Sequence, residues 1–395
     1  MQTGQPSTTA EIVAFFRALE TIRPGDRLFE DPFAAHFLRP WLRIIVRGSV
    51  LPLIGALLLR WIDRRWPGAR TSAIARTRLI DDWVNESVAG DPQQVVILGA
   101  GFDSRAWRLP ALRKVAVFEI DHPATAAEKR RRLAALGIER ANVRFVPVDF
   151  ERDAAPQALA RSGFDPTKPV VVIWEGVTNY LSGEAVDATL RWIGSLATGT
   201  RLIFTYVHEG VLTDPSAFEG AAQILVAVSS TGEPWTFGLR PEALARYLEA
   251  RGLKLLADLG AKDYRARYMG EPAKRMRGYE FYRVALAELL GPRNPDGRSV
   301  QAEHPVDGPD LRRPQQPGVR HRHGVQRPLQ VLAPKREEFL QHRKLRPDVV
   351  LLPNIGLQQP RVIRPAVEDP GGGEPIALKL AAKILRDHRC PLRPR

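Results

Sequence analysis

Cysteine is all but absent from the chain. A single residue, Cys390, excludes an internal disulfide framework and any cysteine-cluster metal site, and fits a reducing compartment. No metal site is expected. The opening MQTGQPSTTAE lacks a basic segment followed by an apolar one, so no secretory signal is read there and a cytoplasmic location is expected. Internal repeats are also missing. Long apolar runs are few. The one membrane-like stretch, WLRIIVRGSVLPLIGALLLRWI at 41–62, is interrupted by Arg43, Arg47 and Arg60 and broken by Gly48 and Pro52. Arginine inside a span is costly. The stretch therefore reads as amphipathic helices packed on a domain, and no membrane partner is expected.

What is present is unevenly distributed. From residue 292 onward there are 20 Lys+Arg against 11 Asp+Glu, a surplus of nine out of the net +14. That segment is rich in Pro, Arg, Gln and His, and Phe339 is its only aromatic residue. It offers too little apolar surface to offset chain entropy, so a disordered basic tail is expected over 292–395. The part before it is only mildly basic, and no nucleic-acid partner is expected.

Up to about residue 290, apolar runs alternate with helical patterning. Strands are expected at 95–100, 115–121, 143–149, 170–175 and 201–207, with helical segments at 125–136, 156–163 and 184–196 between them. Continuous apolar strands with helical crossovers imply a parallel sheet covered on both faces. The fold class is therefore α/β: a doubly wound, Rossmann-like, mainly parallel sheet. Runs at 253–260 and 279–286 can add strands at one edge. Residues 9–89 read as helices.

The first strand runs into Gly99-Ala100-Gly101, a turn where backbone without side chains can approach a ligand. In a doubly wound sheet, ligands sit beyond the carboxyl ends of the strands. Three successive strand ends carry acids there. Glu119 and Asp121 end the second strand and suit the hydroxyls of a ribose, Asp121 being nearer the cleft. Asp149, with Phe150, ends the third and suits an adenine. Glu175 ends the fourth. A dinucleotide site wants a third glycine and a pyrophosphate at the helix start. Here Ser104 replaces that glycine, and Asp103 would repel a phosphate while tolerating a sulfonium or ammonium group. The pocket therefore suits S-adenosylmethionine better than a nicotinamide dinucleotide.

The chain resembles the leucine carboxyl methyltransferase family, in its bacterial branch of class I S-adenosylmethionine-dependent methyltransferases. The resemblance rests on AEIVAFFRALE with DRLFEDPFA, IARTRLIDDW, VVILGAGFDSRAWRL, VFEIDHPATAAEKRRRL, VRFVPVDFERD and VVIWEGVTNYL, in that order. The resemblance covers roughly residues 8–290; the chain is expected to divide into a helical lid over 1–90, a cofactor-binding methyltransferase domain over 91–291, and the tail over 292–395, which has no counterpart in the family. The resemblance also implies roles. Gly99 and Gly101 would pass under the methionine part, Asp121 would hold the ribose, and Asp149 with Phe150 the adenine. Glu175 would lie near the amino-acid end. An arginine of the ARTR segment would pair with the cofactor carboxylate, Arg76 being favoured over Arg78. Asp81 and Asp82 would be local partners of those arginines, or solvated, and not catalytic.

Methyl transfer needs an acceptor, here a small molecule or a peptide. A carboxylate acceptor needs no base, whereas a hydroxyl does. Tyr180, Tyr206 and His208 are the candidates for the acceptor side, with His208 as a base or simply bonded locally. Arg105 would orient an acidic acceptor or pin the turn. Phe15, Phe16, Phe29, Phe33 and Phe37 would line the lid or its core. Three other readings stand beside this one: a nicotinamide-dependent oxidoreductase, a nucleic-acid-binding protein acting through the tail, and a cofactor-binding domain without activity.

Overall fold

The computed structural model describes residues 7–90, 94–148, 155–289 and 291. Asp149, Phe150 and the expected tail lie outside the described residues. Four helices come first: α1 (Thr8–Ile22), α2 (Pro40–Gly48), α3 (Pro52–Arg65) and α4 (Ala69–Val88). The Ser7 hydroxyl accepts the Ala10 N–H and starts α1, whose face of Ala14, Phe15, Ala18 and Leu19 is buried. Both α2 and α3 begin at a proline, whose fixed φ suits a first helical turn. The apolar stretch is thus split at Pro52, and the two helices are bent by 119°. Among the described residues, no single helix is long and apolar enough to cross a membrane. The expected packing holds on one side only. Leu42, Val46 and Ile62 are buried, while Ile44, Leu53, Ile54 and Leu57 face solvent.

Among the described residues seven strands follow: β1 (Gln94–Leu98), β2 (Ala116–Asp121), β3 (Val143–Pro147), β4 (Val170–Trp174), β5 (Arg201–Val207), β6 (Leu253–Gly260) and β7 (Tyr282–Leu289). Their order is β3-β2-β1-β4-β5-β7-β6. The pairs among β1 to β5 are parallel, and β7 is antiparallel to both β5 and β6. This is the expected mainly parallel, doubly wound sheet. Between the strands lie the one-turn α5 (Arg105–Arg108), α6 (Pro123–Ala134), α7 (Ala155–Arg161) and α8 (Gly183–Gly194). Three helices, α9 (Gly210–Thr213), α10 (Ala221–Ser230) and α11 (Pro241–Glu249), separate β5 from β6, and α12 (Ala261–Met269) separates β6 from β7.

Alternation along the strands builds two cores. Val95 and Ile97 pack with α1 and α4, while Val96 and Leu98 pack with α8 and α11 on the other face. Both faces of β1 and β4 are buried, which explains their unbroken apolar sequence. Each such side chain contributes about 1.5–3 kcal/mol relative to exposure. Leu79, Ile80, Trp83 and Val84 put α4 inside the sheet's own core. The helical segment before residue 90 is therefore not one lid layer, because its last helix covers the sheet. β1 pairs with β2 on one side and β4 on the other, so the strand order reverses at β1/β4 and leaves a crevice beyond their carboxyl ends.

Candidate active site

The turn after β1 opens that crevice. Gly99 has φ +64° and Gly101 φ +45°, in the region that favours glycine. A Cβ on Gly99 would lie 2.4 Å from Cγ2 of Val177, in the turn after β4. One on Gly101 would lie 3.2 Å from the Cβ of Ala10, in the first turn of α1. The space freed by both glycines is thus occupied by protein: the β4 turn and α1 close on the β1 turn. Phe37 stacks on Phe102 of the same turn at 5.3 Å, and Phe15, Phe16 and Phe37 are ordinary buried core.

Beside the turn lies Asp121, at the end of β2. Its carboxylate accepts the Gly101 N–H and, at 2.6 Å, the His122 N–H. Among the described residues it has no cationic partner in an ion pair. Burial raises its pKa, with those two N–H groups pulling the other way. A carboxylate can accept about four hydrogen bonds. Asp121 therefore keeps room for a neutral donor pair such as a vicinal diol.

Glu119 does not share that position. It sits two residues below the strand end, and its Oε2 is 2.7 Å from Nζ of Lys129, both side chains being 1% exposed. Burial pushes the Glu119 carboxyl up to about 8, against the pull of Lys129. It is held in the core under α6, out of reach of a ribose.

A ring of buried charge ties the strand ends together. Arg105, with no exposed side chain, bonds Asp81 at 2.8 Å and Glu175 at 2.7 Å, and also holds Asp103. Arg108 donates to both oxygens of Asp81, at 2.6 and 2.7 Å. Arg76 reaches Glu175 through Nε at 2.8 Å and lies over the Tyr282 ring, 4.6 Å from its centroid. Three arginines thus balance three carboxylates. Burial alone would raise Asp103, but Arg105, with Lys129 and Arg17 behind it, holds its pKa below the usual carboxylate range. Glu175 is lowered in the same way by Arg105 and Arg76, against burial.

This ring revises several expectations. Asp103 does not face the cleft, because the Arg105 backbone N–H and guanidinium turn it inward. Arg105 pins the turn and is not available to an acceptor. Asp81 serves Arg105 and Arg108 instead of the ARTR arginines. Only Asp82 is a local partner, of Arg78 at 2.8 Å. Arg78 points away, with its side chain 42% exposed and its Nη1 on the Leu28 carbonyl. Arg76 is the ARTR arginine at the crevice. Its Nη groups make no hydrogen bond among the described residues, which leaves a guanidinium fork for a carboxylate. A free fork at one end and the unpaired Asp121 at the other fit a ligand carrying a carboxylate and a ribose.

The acceptor-side candidates separate. Tyr180 follows β4 and sits among Thr9 of α1, Trp235 and Tyr282; burial raises its pKa. His208 caps β5, where its Nδ1 accepts the Gly210 N–H at 3.0 Å and its ring packs on Phe218. Tyr206 is displaced from the group: it is buried, and its hydroxyl donates to Asp258 of β6 at 2.8 Å. Tyr282 was not anticipated. It pairs with Val207 and reaches the crevice only because β7 runs antiparallel. Thr9 also donates to Glu233 at 2.6 Å, joining the start of α1 to the loop after α10.

A family profile described as leucine carboxyl methyltransferase matches residues 10–194. A Frankia alni protein named "Putative S-adenosyl-L-methionine-dependent methyltransferase" is 37% identical over 249 residues, covering 62% of this chain and 81% of that one. A Mycobacterium sp. (strain JLS) protein of the same name is 34% identical over 271 residues, covering 65% and 83%. A solved structure of a DUF574 family protein from Streptomyces avermitilis is similar at a TM-score of 0.45 and 16% identity, covering 69% of this chain and 96% of that one. The chain belongs to the leucine carboxyl methyltransferase family and is an S-adenosylmethionine-dependent methyltransferase.

Proposed function

We propose that the methyl acceptor is an oxygen of a small molecule or peptide, and specifically a carboxylate, with a hydroxyl as the wider class. The observation that carries this is the state of the two groups able to deprotonate an acceptor. Tyr180 has its pKa raised by burial and stays a phenol, a donor. With Nδ1 of His208 accepting from Gly210, a neutral imidazole carries its proton on Nε2 and offers a donor there as well. Donors suit an acceptor that arrives already ionised, and a carboxylate needs no base. The name of the matching family profile, a carboxyl methyltransferase, agrees with this reading.

For the cofactor, we assign the ribose hydroxyls to Asp121 and the carboxylate to the free fork of Arg76, with Glu175 toward the amino-acid end. Gly99 and Gly101 would shape the turn, their side-chain space being taken by Val177 and Ala10, so that any cofactor contact there is through the main chain on the crevice side; Asp149 with Phe150 would serve the adenine. Bound S-adenosylmethionine supplies the sulfonium methyl group for an in-line displacement. The chain's part is to fix the angle of approach and exclude water. The test uses S-adenosylmethionine labelled in its methyl group and a panel of carboxylate and hydroxyl acceptors. Carboxyl methylation gives an ester that mild base cleaves to volatile labelled methanol. Product label that resists base would overturn the carboxylate assignment.

A further inference from the structure

We propose that the elbow between α2 and α3 docks on an anionic lipid surface, lying in the headgroup region without crossing it. Nine large apolar residues are exposed among the described residues, and six of them fall between 44 and 57: Ile44, Val50, Leu51, Leu53, Ile54 and Leu57. Scattered exposed apolar residues need no account, whereas a contiguous cluster marks a docking surface. α3 is the extreme case, since Ile62 is its only buried residue.

The charge around the cluster has one sign. No Asp or Glu occurs from residue 32 to residue 62. Arg47, Arg60, Arg64 and Arg65 are exposed, and among the described residues none of them makes an ion pair. The first nearby acid, Asp63, is already held by Arg70 at 2.7 Å. The order along α3 matters too. Leu53, Leu57, Arg60 and Arg64 recur at helical spacing and share a face, apolar toward the elbow and basic away from it. From Leu57 to Arg60 and Arg64 the helix rises about 5–10 Å. With α3 standing elbow-down, that rise separates the inserted leucines from the arginines by about the 5–10 Å depth of the headgroup and acyl boundary. An elbow pressed in so far would set its arginines at the level of lipid phosphates. Half-buried Trp61 and Trp66, packed edge to face at 5.5 Å beneath Arg65, are side chains suited to that boundary.

The same features disfavour the other occupants. A two-fold contact between copies would bring the four unpaired arginines against themselves, with no acid in the segment to meet them. A transmembrane hairpin is disfavoured because α2 and α3, of 9 and 14 residues, are each shorter than a span needs, and because Leu42, Val46 and Ile62 are buried against the protein. The proposal replaces the expectation of no membrane partner and is independent of the acceptor's identity.

The test is co-sedimentation of the full chain with vesicles of phosphatidylcholine alone and of phosphatidylcholine with phosphatidylglycerol. The double variants Leu53→Asp/Leu57→Asp and Arg60→Glu/Arg64→Glu alter exposed or half-exposed positions outside the crevice, and circular dichroism checks that they fold. Each arginine near such a surface contributes roughly fivefold to partitioning. Wild type is expected to bind only the anionic vesicles, less at high salt, and each double variant to bind at least tenfold more weakly. Three outcomes overturn the proposal: no wild-type binding to the anionic vesicles, unchanged binding in both variants, which would assign it to another basic segment, or a dimer in light scattering that Leu53→Asp/Leu57→Asp dissolves.

Discussion

Arg105 and Glu175 share an ion pair of 2.7 Å that joins the turn after β1 to the turn after β4, across the point where the strand order reverses. Arg105 is wholly buried and holds Asp81 and Asp103 as well. Removing one partner of such a group leaves buried carboxylates uncompensated. Arg105→Ala is expected to cost about 3–5 kcal/mol in urea denaturation. A loss below about 1 kcal/mol would mean the ring carries little of the fold's stability.

The glycine at the head of the turn makes a second, separable prediction. Gly99→Ala meets both a positive φ and Cγ2 of Val177 at 2.4 Å. The backbone part costs about 1–2 kcal/mol, and the overpacking about 1–3 kcal/mol. Adding Val177→Ala should recover the second part and not the first. A double-mutant cycle with no coupling between the two positions would contradict the packing described.

The Glu119–Lys129 pair predicts a pH dependence. Glu119 has its folded-state pKa raised from 4.5 to about 8, chiefly by burial. Between those values the folded chain holds a proton that the unfolded chain has released. Its stabilising contribution is therefore complete below pH 4.5 and is lost as pH rises through about 8, with a slope of up to about 1.4 kcal/mol per pH unit. Denaturation of wild type and Glu119→Gln at pH 5, 6.5 and 8 should give a shallower decline in the variant. Equal slopes would show that Glu119 ionises normally.

Much of this architecture is legible in the sequence, because a strand buried on both faces must be apolar throughout. The runs at 201–207 and 253–260 coincide with β5 and β6. β7 starts three residues later than its apolar run, because Gly278 and Tyr279 both take positive φ and turn the chain before Tyr282. The crevice is legible as well, from glycines and acids at strand ends. Partners distant in sequence are not. Nothing local to Arg76 announces Tyr282, which reaches it through an antiparallel strand, and nothing local to Glu119 separates a core contact with Lys129 from a ribose contact. The capture of Asp103 by Arg105 had a signal, an arginine two residues beyond the acid, but an aspartate facing a ligand has the same local sequence.

The most direct test of the site is titration calorimetry of S-adenosylmethionine into wild type, Asp121→Asn, Arg76→Ala and Arg78→Ala. Each lost hydrogen bond to a charged group is worth about 1.5–3 kcal/mol, or roughly 10- to 150-fold in Kd. Asp121→Asn and Arg76→Ala should each weaken binding by that factor, while Arg78→Ala, which points away from the crevice, should bind as wild type does. Wild-type affinity in both Asp121→Asn and Arg76→Ala would contradict the site at the β1/β4 crevice.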